Sequence, residues 1–189
     1  MRLVIANHRL AEVGGTETYL GTLAEHLQEL GHEVTVFAPA VGEWGRELER
    51  RGLVVVDDER RLPEDCDAVL PQDSIVAFLL ADRYPRAPQV QGAHTHVAQV
   101  QSPPQLPGLT AAVVVCSETV ARRMRALASP PPLVRLRQPI DLARFSPRGA
   151  ARPRARRVLA LGNYLYGERL RMLTEACEDL GMELVQRGS

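Results

Sequence analysis

The sequence has no lysine; all 23 of its basic residues are arginine. That excludes a Schiff-base lysine, and a Walker-type lysine on a nucleotide's phosphates. Any positive charge offered to a ligand is guanidinium, whose planar fork suits bidentate contacts with phosphate or carboxylate. Codon usage in a GC-rich genome is the plainer reading of the bias. Net charge is also lacking, with 23 acidic residues against 23 basic ones. A non-specific nucleic-acid or anionic-membrane binder would carry a strongly basic surface, so neither is expected. Cysteine is scarce: Cys66, Cys116 and Cys177 lie far apart. Free thiols are expected rather than a disulfide or a metal site. CxxC and HExxH are both absent. No apolar run approaches the roughly 20 residues of a membrane span. The opening MRLVIANH reads as a first strand, not a secretion signal. A soluble cytoplasmic protein is the expectation.

What is present is alternation. Short apolar runs at 2–6, 33–38, 53–57, 67–71, 88–92, 111–116 and 133–137 read as strands. Helical patterns separate them. Leu20, Leu23, Leu27 and Leu30 recur at helical spacing behind Gly14-Gly15, with Thr16 as the expected N-cap, Glu17 in the first turn and Gly31 as the stop. Further helices are predicted at about 42–51, at 74–83 with Ser74 as cap, and after Ser117. Continuous apolar strands with helices between them signify a parallel sheet covered on both faces, a Rossmann-like doubly wound α/β domain. Its ligand site belongs at the carboxyl ends of the strands.

Residues 147–156 (PRGAARPRAR) have no hydrophobic period and read as a linker closing a domain at 1–146. Residues 157–189 read as a further strand–helix–strand unit, with a strand at 157–161, a helix at about 168–180 and a strand at 182–186. Alone, such a unit cannot bury enough apolar surface. It is expected to be the truncated start of a second domain, or to pack on another surface. Dimerisation through 157–186 is one such arrangement.

Several segments resemble one family in order and spacing. GGTETYLGTLAEHLQELGHEVTVFAP (14–39), PQVQGAH (88–94), AAVVVCSETVARRM (111–124), RQPIDLARFSP (137–147) and RRVLALGN (156–163) are similar to successive motifs of retaining GT-B glycosyltransferases of the family-four type. The resemblance implies an acceptor-side N-terminal domain followed by the start of a donor-binding domain. It implies transfer of a hexosyl unit, with retention, from a nucleotide-diphosphate sugar to a small-molecule or glycan acceptor. That sugar nucleotide is a co-substrate; no cofactor and no metal is implied. Two departures stand out. Gln138-Pro139 replaces the family's usual Asn-Gly pair, and NYLYGERLR (163–171) lacks the lysine often offered to the pyrophosphate, leaving Arg169 as a stand-in.

The resemblance places His94 beside the donor sugar as the catalytic histidine, with His96 close enough to be the alternative. Gly14 and Gly15 let backbone N–H groups approach the donor phosphate at a helix N-terminus. The plainer reading is a turn that needs positive φ. Glu118 lines the cleft in the family; an ordinary first-turn acid behind a Ser117 cap accounts for it as well. Asn7, His8, Arg9 and Thr16 are placed against the acceptor by location. Asp141, Arg144 and Phe145 are read as fixing the domain end, and Arg122, Arg123 and Arg125 as a solvated helix face. Glu–x7–Glu pairs occur at Glu17/Glu25, Glu25/Glu33 and Glu175/Glu183, all in the wrong element, and are set aside. The 1–189 chain alone is expected to be inactive. The alternative reading is a non-catalytic acceptor-binding or assembly module. A nucleotide-sugar epimerase or a dehydrogenase would need a dinucleotide fingerprint or a Tyr-x-x-x-Lys pair, and neither is present.

Overall fold

A computed structural model describes all residues except 96–98, 143–144, 147–148, 151–153, 163–164 and 188–189. The described residues form two compact units, Met1–Ile140 and Asp141–Ser189.

In the first unit the elements run β1 (Arg2–Ala6), β2 (Arg9–Leu10), α1 (Gly15–Glu29), β3 (Glu33–Phe37), β4 (Ala40–Val41), α2 (Glu43–Arg50) and β5 (Val54–Val56). They continue with β6 (Ala68–Pro71), α3 (Ser74–Arg83), β7 (Gln89–Ala93), β8 (Thr110–Val115), α4 (Glu118–Arg125) and β9 (Leu133–Arg135). Seven strands make one parallel sheet in the order β5-β3-β1-β6-β7-β8-β9. The unit is therefore an α/β, Rossmann-like doubly wound domain. Chain order reverses beside β1: the first crossovers run outward through β3 to β5, and the chain then returns to β6 on the other side. The carboxyl ends of β1 and β6 flank that switch point, where open α/β sheets bind ligands.

Strand alternation sends side chains to both faces. Ile5 and Val36 pack with Leu20 and Ala24 of α1 and Leu48 of α2 on one side. Val4, Ala6 and Val69 pack with Val76 and Leu80 of α3 on the other. Truncating a fully buried leucine such as Leu20 or Leu48 to alanine costs about 2–5 kcal/mol at sites of this kind. Gly21 lets α1 and α2 close up: a methyl there would press on Leu48.

Two helix starts differ from expectation. Helix α1 begins two residues early, with Gly14 at the N-cap and no side-chain cap, so Thr16 lies within its first turn. Helix α3 is capped by Asp73, not Ser74; its Oδ1 accepts from Ile75 N and Val76 N. Leu30 follows α1 and is exposed rather than part of the buried stripe. Strands β2 and β4, unforeseen because each has two residues, pair in parallel at the edge of the site. A side chain at Gly42 would collide with the Ala11 backbone, so glycine permits that approach.

The second unit holds β10 (Arg157–Leu161), α5 (Glu168–Asp179) and β11 (Glu183–Arg187), with β10 and β11 parallel. Gly181 stops α5 at a φ of 62°. Ala160 and Cys177 are buried, whereas Leu159, Leu161, Met172 and Leu180 stay exposed. All three cysteines are free thiols. No described helix is long and apolar enough to cross a membrane.

Candidate functional site

Three of the buried polar residues of the first unit, Asn7, Gln72 and Asp73, gather where the fold directs a ligand. Asn7 follows β1, Gln72 and Asp73 follow β6, and His94 follows β7. Asn7, Gln72 and Asp73 are each at most 3% exposed. Burying such groups is costly unless they are hydrogen-bonded, and each has a defined partner.

His94 Nε2 lies 2.7 Å from Gln72 Oε1. An amide oxygen only accepts, so Nε2 carries the proton and Nδ1 keeps the lone pair. Gly92 makes this pair fit: a Cβ there would overlap Gln72 Oε1 and come within 3.0 Å of His94 Nε2. Tyr19 of α1 meets the imidazole edge-on, with ring centroids 4.5 Å apart. Burial pushes the His94 pKa down to about 4, so the ring is neutral at physiological pH. Burial, then the nearby Cys116, pushes the Tyr19 phenol upward. A neutral imidazole with a fixed tautomer donates or accepts hydrogen bonds without adding charge. His96 lies outside the described residues, as does Arg144.

Gly14 and Gly15 sit at the start of α1 without positive φ, so a left-handed turn is not why glycine stands there. The two differ in surroundings. A Cβ at Gly14 would overlap the Glu17 carboxylate, whereas a Cβ at Gly15 meets nothing. Glu17 thus folds back over the N-cap residue, as the glutamate of a capping box does. Asn7 Nδ2 donates to Glu17 Oε1 at 3.3 Å and to Arg9 O at 2.9 Å. The positive pole of α1 therefore already faces one carboxylate. Thr16 accepts from Gln101 Nε2 at 3.2 Å, and Gln101 O accepts from the fully buried Gln91, which ties the segment after β7 to α1.

His8 is held by Asp73 through both its backbone N–H, at 2.8 Å, and its ring Nδ1, at 2.9 Å. Arg9 is exposed and reaches Glu12 at 3.9 Å. Glu118 stands apart from this cluster on α4, exposed, 2.8 Å from Arg125 and 3.8 Å from Arg135. The Arg125 hydrogen bond holds its carboxyl below the usual range. Ser117 caps α4 by accepting from Val120 N. The structure thus places Asn7, His8, Gly14, Thr16 and His94 in segments that follow the carboxyl ends of β1 and β7, with Glu17, Asp73, Gln101 and Gln72 as partners of Asn7, His8, Thr16 and His94 respectively. Sequence reasoning missed the partners Gln72, Asp73, Tyr19 and Gln101. The signal for the first two was present, since the pair directly follows an apolar strand and precedes an apolar helix.

A groove of about 360 Å³ lined by Arg2, Leu3, His32 and Glu33 lies at the amino ends of β1 and β3, opposite the switch point. Among the described residues, no three His, Cys, Asp or Glu side chains converge to hold a metal ion.

The sheet is Rossmann-like, with a buried polar cluster at the switch point, where domains of this architecture bind ligands. Residues 13–98 match the model of the family described as Glycosyltransferase Family 4. No curated protein matches the chain. Among solved structures the chain is similar to Anabaena HepE in complex with UDP-glucose, at 13% identity and a TM-score of 0.64, covering 100% of this chain and 70% of that one. It is similar to HepE in complex with UDP and glucose, at 12% identity and a TM-score of 0.68, covering 97% of this chain and 60% of that one. It is also similar to Acinetobacter baumannii MurG, at 13% identity and a TM-score of 0.51, covering 100% of this chain and 67% of that one. The chain thus spans only part of the length of each. The family match spans less than half of the chain, and the likeness to the HepE and MurG structures is one of fold.

Proposed function

We propose that the chain is the acceptor-side domain and the opening of the donor-binding domain of a transferase. It moves a hexosyl unit from a nucleotide-diphosphate sugar to a small-molecule or glycan acceptor, with retention. The observation that carries this reading is the neutral, tautomer-fixed His94 in a buried polar cluster at the switch point, inside the segment that matches the family. A UDP-hexose is the donor to try first, because the similar HepE structures hold UDP-glucose or UDP with glucose.

Each residue has a role in this reading. His94 hydrogen-bonds a donor-sugar hydroxyl, or the developing charge at the anomeric carbon. Gly14 and Gly15 present the start of α1 to the donor phosphate. Glu118 contributes to the donor side, and Asn7, His8, Arg9 and Thr16 meet the acceptor. With no lysine in the chain, helix N-termini and arginines offset the diphosphate charge. Arg169, exposed in the first turn of α5, is available for this.

The test is nucleotide release from a panel of nucleotide sugars by the gene's whole product and by the 1–189 chain, side by side. Release by the former and none by the latter is expected. Turnover by 1–189 alone would overturn the division of labour between the two domains. Release by neither would favour a non-catalytic binding module.

A further inference from the structure

Gln89 opens β7 and is 2% exposed. Its Nε2 donates to Ala77 O of α3 at 2.9 Å. A carbonyl only accepts, so the amide is held in this orientation and Oε1 is the atom left over. Oε1 is buried without a hydrogen-bond partner among the described residues. Leaving a buried acceptor unpaired is costly, which favours a donor supplied from outside the chain. Gln89 also lines a cavity of about 510 Å³. Ala77 and Ala81 are one turn apart on α3; the first holds the amide, and the second lines the cavity. The register of β7 on β8 slips here: Gln89 pairs with Thr110 but Val90 with Ala112, and the extra residue, Ala111, lines the cavity too.

The walls are apolar and braced. Tyr84 donates its hydroxyl to Pro63 O at 2.6 Å, and the Arg83 guanidinium lies over its ring. Leu106 and Pro107 stand in a turn closed by Leu109 N on Leu106 O at 3.2 Å, with Gly108 at a φ of 80°. Pro88 faces the same space. Leu106 is 54% exposed although it lines the cavity, so its apolar surface is open to a ligand. Arg86, also lining the cavity, is exposed and makes no ion pair among the described residues. All this lies at the amino ends of β7 and β8, whereas His94 follows the opposite end of β7.

We propose that this cavity is a second binding site, for a small aromatic acid whose ring carries an O–H or N–H donor. The donor meets Gln89 Oε1, the ring lies against the proline and leucine walls, and the acid group pairs with Arg86. The volume falls in the range of small-molecule sites, and an apolar lining with a few polar groups is their usual make-up. Flat proline faces pack well on aromatic rings, the contact that proline-rich segments use in aromatic grooves. The guanidinium fork matches a carboxylate. Braced walls lower the ordering cost of binding. The site is independent of the transferase reading.

The experiment titrates the gene's whole product with 4-hydroxybenzoate, followed by saturation-transfer NMR. Saturable binding is expected, with a Kd of about 1 mM or below for a ligand of this size. Benzoate, which lacks the donor, should bind about threefold weaker or worse. Arg86→Ala alters an exposed side chain and should weaken 4-hydroxybenzoate by about threefold or more, less so at high salt. Gln89→Leu keeps the size of the side chain and removes the acceptor. It should cost 4-hydroxybenzoate about threefold or more while leaving benzoate within about threefold, a split that collapse of the cavity would not produce. Should Gln89→Leu lack a cooperative unfolding transition, the comparison of the two acids and Arg86→Ala decide. Absence of saturable binding up to about 10 mM overturns the inference. So does a loss smaller than about threefold for benzoate, for Arg86→Ala or for a folded Gln89→Leu; the partner of Oε1 is then a buried water.

Discussion

Gln72 and His94 are joined by a 2.7 Å hydrogen bond, between an amide at the end of β6 and an imidazole at the end of β7. Gly92 is what lets them meet. Gly92→Ala should therefore press the new methyl into the pair. Overpacking of this kind costs about 1–3 kcal/mol, and activity should fall further than stability does. Thermal unfolding and kcat/KM on the same sample check this.

Burial of His94 makes stability pH-dependent. Its folded pKa, about 4, lies below the ordinary value of 6.5. The unfolded chain therefore binds the proton first, and acid favours unfolding. Stability should be flat above pH 6.5 and decline as pH falls from 6.5 towards 4. Its limit is roughly 3 kcal/mol, at about 1.4 kcal/mol per pKa unit. His94→Gln should lose this part of the acid sensitivity in denaturation curves taken across that window.

The two glycines before α1 should respond differently to alanine. Gly14→Ala drives a methyl into the Glu17 carboxylate and should destabilise the start of α1. Gly15→Ala meets nothing and replaces a helical glycine, so stability should rise by up to about 1 kcal/mol. If donor phosphate approaches that backbone, Gly15→Ala weakens UDP-glucose binding while the protein becomes more stable. Calorimetric binding beside thermal unfolding separates the two effects.

Removing the Glu17 charge should help an anion reach α1. Glu17→Gln can still accept from Asn7 through its amide oxygen, but no longer repels a phosphate at the helix N-terminus. UDP-glucose should bind about threefold tighter or better at low ionic strength, and the gain should shrink with added salt. Unchanged affinity at low salt would place the phosphate elsewhere.

Much of the fold was legible in the chain, because the continuous apolar runs of a buried parallel sheet need no tertiary context to be seen. Val4, Val36, Val69 and Val113 lie in runs of that kind. The carboxyl ends of the strands were the expected place for a site by the general rule for such sheets, and Asn7, Gln72 and Asp73 are buried there. What escaped was set by side chains that fold back on the backbone. Asp73 and Ser74 are adjacent and both cap well; the structure chose Asp73, since its second oxygen also holds His8. Thr16 lost the cap of α1 because Gly15 is already helical. Gln72 and Gln101 carry no motif; only the packed sheet brings them to His94 and Thr16. Strands β2 and β4 are too short for a period to register.

On the proposed function, the cluster around His94 is where the sugar is transferred. The most direct measurement is UDP release from UDP-glucose by the gene's whole product, wild type and His94→Ala, with thermal unfolding as a control for folding. Wild-type release is expected, with a fall in kcat/KM of about 100-fold or more for His94→Ala, the loss seen on removing one preorganised hydrogen-bonding group, and a cooperative unfolding transition retained. A folded His94→Ala protein that turns over within about threefold of wild type would contradict it.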